Sequence, residues 1–116
     1  MIVYVYSKCS TCQKALQFLK DNHINCQIKE INLEPPSIQE LKKMLHYKKG
    51  DLKKLFNTSG LLYKEMQLSQ RLGQFSEKEA LELLSKNGML VKRPFILGED
   101  LGFVGFKELE WNDLKN

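Results

Sequence analysis

Cys9 and Cys12 stand three positions apart in the segment VYVYSKCSTCQKALQFLK, residues 3–20. Such a pair can ligate a metal, close a structural disulfide or exchange electrons as a dithiol. Only a thiolate attacks a disulfide or an oxidised substrate, and a free thiol is mostly protonated near neutral pH. A sulfur at a helix N-terminus meets unsatisfied backbone N–H groups and the positive end of the helix dipole, and both favour the anion. Lys8, beside Cys9, adds positive charge. Cys12, one turn into a helix starting there, can approach Cys9 and resolve a mixed disulfide. The spacing predicts a redox couple with Cys9 as nucleophile and Cys12 as resolving thiol.

The other readings fare less well. Cys9, Cys12, His23 and Cys26 spell C-x2-C followed by H-x2-C, a zinc-like ligand set. If residues 12–23 form one helix, its eleven steps separate Cys12 from His23 by roughly 16 Å, too far for tetrahedral zinc, so no metal is expected. His23 and His46 are expected on the surface near helix ends, and Cys26 as a small buried hydrophobe. Three cysteines are an odd number and too few for a disulfide scaffold. A second chemical feature is VKRPF, where Arg93 and Pro94 precede a strand. A guanidinium brought near Cys9 would lower its pKa and hold an oxyanion or carboxylate bidentately. Pro94 has no N–H for a sheet ladder, suits a strand start, and can be cis.

The surrounding elements must place these groups. IVYVY reads as a buried strand running directly into a helix, with Cys12, Ala15, Leu16 and Leu19 on one stripe and Ser10 with Gln13 as a capping box. NCQIKEINL reads as a second strand ending at Pro35-Pro36. Residues 37–87 are helical in character, with capping boxes at Ser37/Glu40 and Ser76/Glu79, and with Ile38, Leu41, Leu45, Leu81 and Leu84 facing inward. Gly50 and NTSG break this block, and Gly88 is expected as a left-handed cap. RPFILGEDLGFVGF reads as two strands about a GED turn, and KELEWNDLK as a closing helix with Leu109, and Trp111 as a second candidate, packing inward. The order β-α-β, helical block, β-β-α is that of an α/β, thioredoxin-like fold carrying a helical insertion at 37–87.

Length and charge bound the rest. A chain of 116 residues, 42% hydrophobic, is enough for one domain spanning 1–116. The net charge of +4 comes from dispersed lysines, and LKKMLHYKKGDLKKL reads as a solvated helical face; direct nucleic-acid binding is not expected. No apolar run is long enough for a bilayer and no signal peptide is visible, which predicts a cytoplasmic protein without membrane contact. With neither G-x-G-x-x-G nor a P-loop, no bound cofactor is expected, and a monomer is expected.

The segments CSTCQKA, FNTSG, GMLVKRP and VGFKELEW, in that order over essentially the whole chain, resemble the arsenate reductase (ArsC/Spx) family of thioredoxin-fold proteins. The resemblance implies that Cys9 is the catalytic cysteine and Pro94 the cis-proline beside it. It implies that Arg93 matches one of three oxyanion-holding arginines of glutathione-dependent arsenate reductases. The other two positions fall at Asn57 and Gly105, which bring no positive charge, so efficient arsenate reduction is not implied. Cys12 points instead to an intramolecular disulfide step, with thioredoxin, glutaredoxin or a small thiol such as glutathione as external reductant. The same CxxC occurs in Spx-like regulators, which bind the C-terminal domain of the RNA polymerase α subunit and use the pair as a redox switch. Those regulators often carry a longer basic tail than the residues following Trp111 here, and the reading that follows is a reductase-like protein, with the regulator as the alternative.

Overall fold

The computed structural model describes residues 1–115. Four strands, β1 (Ile2–Val5), β2 (Gln27–Glu30), β3 (Phe95–Leu97) and β4 (Gly102–Val104), form one sheet in the order β2-β1-β3-β4. β1 pairs parallel with β2, Val3 opposite Ile28, and antiparallel with β3, Val3 opposite Ile96. β3 and β4 form the antiparallel hairpin expected around the GED turn.

β1 and β3 lie inside the sheet and bury both faces, which is why they read as unbroken apolar runs. On one face Val3, Val5 and Ile96 pack against Cys12, Ala15, Phe18 and Leu19 of α1 (Ser10–Asp21), with Trp111 and Leu114 from the C-terminal end. On the other, Tyr4, Phe95 and Leu97 meet the helical block. That block contains α2 (Ile38–Tyr47), α3 (Leu61–Glu65), α4 (Leu68–Arg71) and α5 (Glu77–Lys86), with 3₁₀ turns at Leu52–Leu55, Leu72–Gln74 and Gly88–Leu90. Two capping boxes start its longer helices as expected: Ser37 and Ser76 each accept from the N–H three residues on, and Glu40 and Glu79 reciprocate. Glu40 also accepts a 2.6 Å hydrogen bond from the Tyr4 hydroxyl, tying the α2 start to β1. Burial and then Glu40 push the Tyr4 pKa upward, so this hydroxyl stays protonated as the donor.

Several local expectations are corrected. Ser10 does not cap α1; it is the first helical residue, the N-cap is Cys9, and Gln13 donates to the Ser7 carbonyl at 3.1 Å. The buried α1 stripe takes in Phe18, leaving Leu16 half-buried. Gly88 has no left-handed φ: it opens a 3₁₀ turn, and a Cβ there would lie 1.8 Å from the Ile31 carbonyl oxygen, so glycine is required by close approach. The closing helix α6 is only Glu108–Trp111, and it turns Trp111 inward (0% exposed) while Leu109 faces solvent (87%). Ile38 is likewise exposed, and Met44 takes its place beside Leu41 and Leu45. Cys26 is half-buried, and His23 and His46 are exposed.

A candidate thiol site at the start of the first helix

The site begins where β1 hands over to α1. The connecting loop is held from several sides. The Tyr6 carbonyl accepts from the Cys9 N–H at 3.0 Å, and the Ser7 N–H donates to the Glu30 carboxylate at 2.6 Å. Gln13 holds the Ser7 carbonyl, and the Tyr6 N–H points at the Cys12 sulfur, 3.4 Å away. Cys9 therefore occupies a fixed N-cap position with extended backbone, φ −97° and ψ 121°.

The two thiols have opposite environments. Burial would push Cys9 upward, but the Cys12 N–H, the Cys12 thiol, the Thr11 N–H and the Arg93 guanidinium outweigh it and bring the pKa below the ordinary thiol value. Cys12 is wholly buried, and desolvation, opposed by the Tyr6 N–H but aided by its hydrogen bond to Cys9 and the Cys9 charge, pushes it up to about 12. The surroundings thus favour the anion at Cys9 and the proton at Cys12.

Arg93 reaches this site because the segment before β3 runs beside it. Its guanidinium carbon lies 5.1 Å from the Tyr6 ring centroid, its Nη1 is 3.4 Å from the Met89 carbonyl, and its buried Nε has no hydrogen-bond partner among the described residues. The Arg93–Pro94 peptide bond is cis. The Pro94 carbonyl accepts from the Gly105 N–H at 2.8 Å, and the Gly105 carbonyl accepts from the Trp111 indole at 3.1 Å, so the α6 region braces the back of the site. Gly105 has φ +78°, a left-handed conformation that favours glycine. Lys8 is placed apart: it is exposed and lies outside the cleft that Cys9 and Arg93 share.

That cleft, about 750 Å³, opens between Cys9 and Thr11, the strand end at Val104–Lys107, and the 51–60 segment of the helical block. Docking of the block brings it there: Phe56 and Val91 form an antiparallel bridge, the Asn57 N–H donates to the Leu90 carbonyl at 2.7 Å, and the Lys92 N–H donates to the Leu55 carbonyl at 2.8 Å. Asn57, Arg93 and Gly105 thus line one cleft with Cys9, together with Lys48, Lys53, Lys54, Lys92 and Lys107; Asp51 and Glu110 supply its negative charge. The sequence reading missed these lysines, since they come from three separated segments, and it missed Glu30, whose contact with the Ser7 N–H depends on β2 lying beside β1; Gln13, expected in a capping box, binds the Ser7 carbonyl instead. The zinc-like set is split by α1, whose twelve residues span about 18 Å between the Cys9 end and the His23 end. No cluster of three or more His, Cys, Asp or Glu suited to a metal is found among the described residues.

A parallel β-α-β unit, an antiparallel hairpin, a helical insertion and a CxxC at the first helix start define an α/β protein of thioredoxin-like fold. The chain belongs to the ArsC family, whose profile matches residues 4–114. It is 44% identical over 112 residues to the Bacillus subtilis (strain 168) protein YusI, covering 95% of this chain and 93% of that one. It superposes with a TM-score of 0.92 on an ArsC-family-related protein from Bacteroides fragilis, at 43% identity and covering 98% and 96% of the two chains. The global transcriptional regulator Spx 1 of Oceanobacillus iheyensis is 28% identical over 108 residues, which is 93% of this chain and 81% of that regulator.

Proposed function

We propose that this ArsC-family chain is a cytoplasmic thiol–disulfide oxidoreductase without a bound cofactor, in which Cys9 attacks and Cys12 resolves. The observation that carries the reading is the placement of Cys9 at the N-cap of α1, in one cleft with Arg93 and one turn before the buried Cys12, surroundings that lower the Cys9 pKa and raise that of Cys12. The Cys9 thiolate displaces one thiolate from a disulfide and becomes a mixed disulfide. Cys12 then loses its proton, attacks the Cys9 sulfur, and releases the second thiolate. Its high resting pKa delays this step until Cys9 is no longer an anion, because capture of the Cys9 charge removes the repulsion that helped hold the Cys12 proton. Arg93 supports the thiolate and orients an anionic group, and Pro94 shapes the docking surface beside it. Glutathione or a thioredoxin- or glutaredoxin-type dithiol returns the pair to the reduced state. Arsenate is expected to be a poor substrate, since Arg93 is joined at the matching positions by Asn57 and Gly105 rather than by two further guanidiniums, each charge-assisted contact being worth roughly 1.5–3 kcal/mol. In the test, Cys9→Ser abolishes disulfide reduction and Cys12→Ser accumulates the mixed disulfide, visible by mass spectrometry. Equal turnover by Cys9→Ser and wild type would sink the reading.

A second reading is favoured by the Spx relative, which aligns along 93% of this chain. Here the same pair would act as a redox switch controlling binding to the C-terminal domain of the RNA polymerase α subunit. Its demand is distinct: oxidised and reduced protein must differ in affinity for that domain.

A further inference from the structure

Resting on the disulfide-exchange reading, we propose that the cleft beside Cys9 takes a low-molecular-weight disulfide bearing phosphate charges away from its sulfurs, with Lys48, Lys54 and Lys107 as the anion-binding cluster. Six cationic side chains line this cleft against two carboxylates. Lys48 follows the end of α2, Lys54 sits on the Leu52–Leu55 turn, and Lys107 precedes α6, yet the charges of the latter two both act on Lys48. Lys48 is half-buried, with its ammonium 5.6 Å from the Phe103 ring centroid. Burial lowers its pKa, with Glu110 opposing and the two neighbouring lysines reinforcing the shift. Among the described residues, the ion pair within 4 Å is between Lys29 on β2 and Glu34 in the segment after it, and none involves a cleft lysine.

Gathering like charges around a partly desolvated lysine is unfavourable unless an anion is shared between them. Separate ammonium groups on different segments suit phosphate, which they hold as point charges, whereas planar carboxylates are matched by the guanidinium fork. The cleft volume falls in the range of small-molecule sites and leaves room for an organic thiol portion between the lysines and Cys9.

The chemistry balances without a further reactant. For a symmetric disulfide RSSR, the Cys9 thiolate forms Cys9–S–S–R and expels RS⁻, which takes a proton from solvent. Cys12 gives up its proton, forms the Cys9–Cys12 disulfide and expels the second RS⁻. The protein dithiol is oxidised by two electrons and the substrate disulfide reduced by the same two.

Single-turnover rates of the reduced, full-length protein on coenzyme A disulfide, oxidised glutathione and neutral 2-hydroxyethyl disulfide test the proposal. Coenzyme A disulfide is expected to react at least about tenfold faster than the other two, with the advantage shrinking as salt screens the lysines. The combined Lys54→Gln and Lys107→Gln variant replaces two exposed side chains, so it is expected to fold. It should lower the ratio of the coenzyme A disulfide rate to the 2-hydroxyethyl disulfide rate about tenfold, while Lys78→Gln, on α5, leaves that ratio unchanged. A rate on oxidised glutathione equal to that on coenzyme A disulfide overturns the phosphate assignment. A ratio unmoved by the lysine changes overturns the cluster, while disulfide exchange itself stands. No reaction with any of the three overturns the oxidoreductase reading beneath it.

Discussion

Cys9 and Cys12 differ in what surrounds each sulfur, and the difference has consequences that titration can read. Alkylation of Cys9 is expected to rise with pH through a midpoint below the free-thiol value of about 8.5, while Cys12 stays unreactive until far more alkaline pH. Arg93→Ala removes one of the groups that favour the anion, so the Cys9 midpoint should move up and its alkylation rate at pH 7 fall by about three- to tenfold. The stability of the reduced protein carries the opposite signature from Cys12. Its folded-state pKa is raised, so the folded form holds a proton that the unfolded chain releases. Stability from this group is therefore full below the ordinary thiol value and declines as pH rises from there to about 12, a loss that urea titrations across that window should show and that Cys12→Ala should remove. The residues the proposed chemistry uses, Cys9, Cys12 and Arg93, are legible in the sequence from the spacing of the sulfur pair at a strand-to-helix junction and from the Arg-Pro before a strand, and the structure brings Cys9 and Arg93 into one cleft. Lys8 was singled out for its adjacency to Cys9 in the chain, but its side chain is exposed outside the shared cleft, and the positive charge acting on Cys9 belongs to Arg93, 84 positions away by the numbering.

The elements divide into those that carry their own signal and those defined by what packs on them. Capping boxes are local, so α2 and α5 begin where Ser37 and Ser76 predict; Ser37→Ala and Ser76→Ala should each cost about 1 kcal/mol in chemical denaturation. Buried strands also announce themselves, and β1, β3 and the β3–β4 hairpin lie where the apolar runs stand. Short elements do not. α6 has only four residues, and periodicity over so short a span could not tell Leu109 from Trp111 as the inward residue. The structure separates them sharply. Trp111→Ala should cost about 3–5 kcal/mol and, by removing the indole that holds the Gly105 carbonyl, loosen the back of the thiol site, whereas Leu109→Ala should fall within about 0.5 kcal/mol of wild type. Gly88 was misread for a related reason: a glycine after a helix suggests a left-handed cap, but here the backbone passes against Ile31, a contact invisible until β2 and α5 are in place. Gly88→Ala is expected to destabilise by about 1–3 kcal/mol or more in the same assay.

Across the whole molecule, the sheet separates a face that builds the thiol from a face that builds its cleft. α1 and the C-terminal residues fix Cys9 and Cys12 on one side; the helical block packs on the other and extends its 51–60 segment over the opening. The order of elements was readable from the sequence, and so was the thioredoxin-like class, because each strand and long helix has its own pattern. The cleft was not, because its charge is assembled from residues 48–54, 92–93 and 107, and a lysine on a solvated helical face has the same local sequence as one in a binding site. This division also frames the choice between enzyme and regulator: oxidation at Cys9 sits beside a surface shared by both sides, so a redox switch would be read there, and binding of the RNA polymerase α C-terminal domain that is equal for oxidised and reduced protein would remove the regulator reading. The measurement that bears most directly on the thiol pair itself is equilibration of the protein in glutathione buffers of graded redox poise, with the thiols trapped by alkylation and counted by mass spectrometry. A reversible Cys9–Cys12 disulfide, titrating as a two-electron couple within the range of cytosolic dithiols and leaving Cys26 reduced, is the predicted result. A Cys9 that stays a free thiol, or ends only as a mixed disulfide with glutathione while Cys12 remains reduced, would contradict the account.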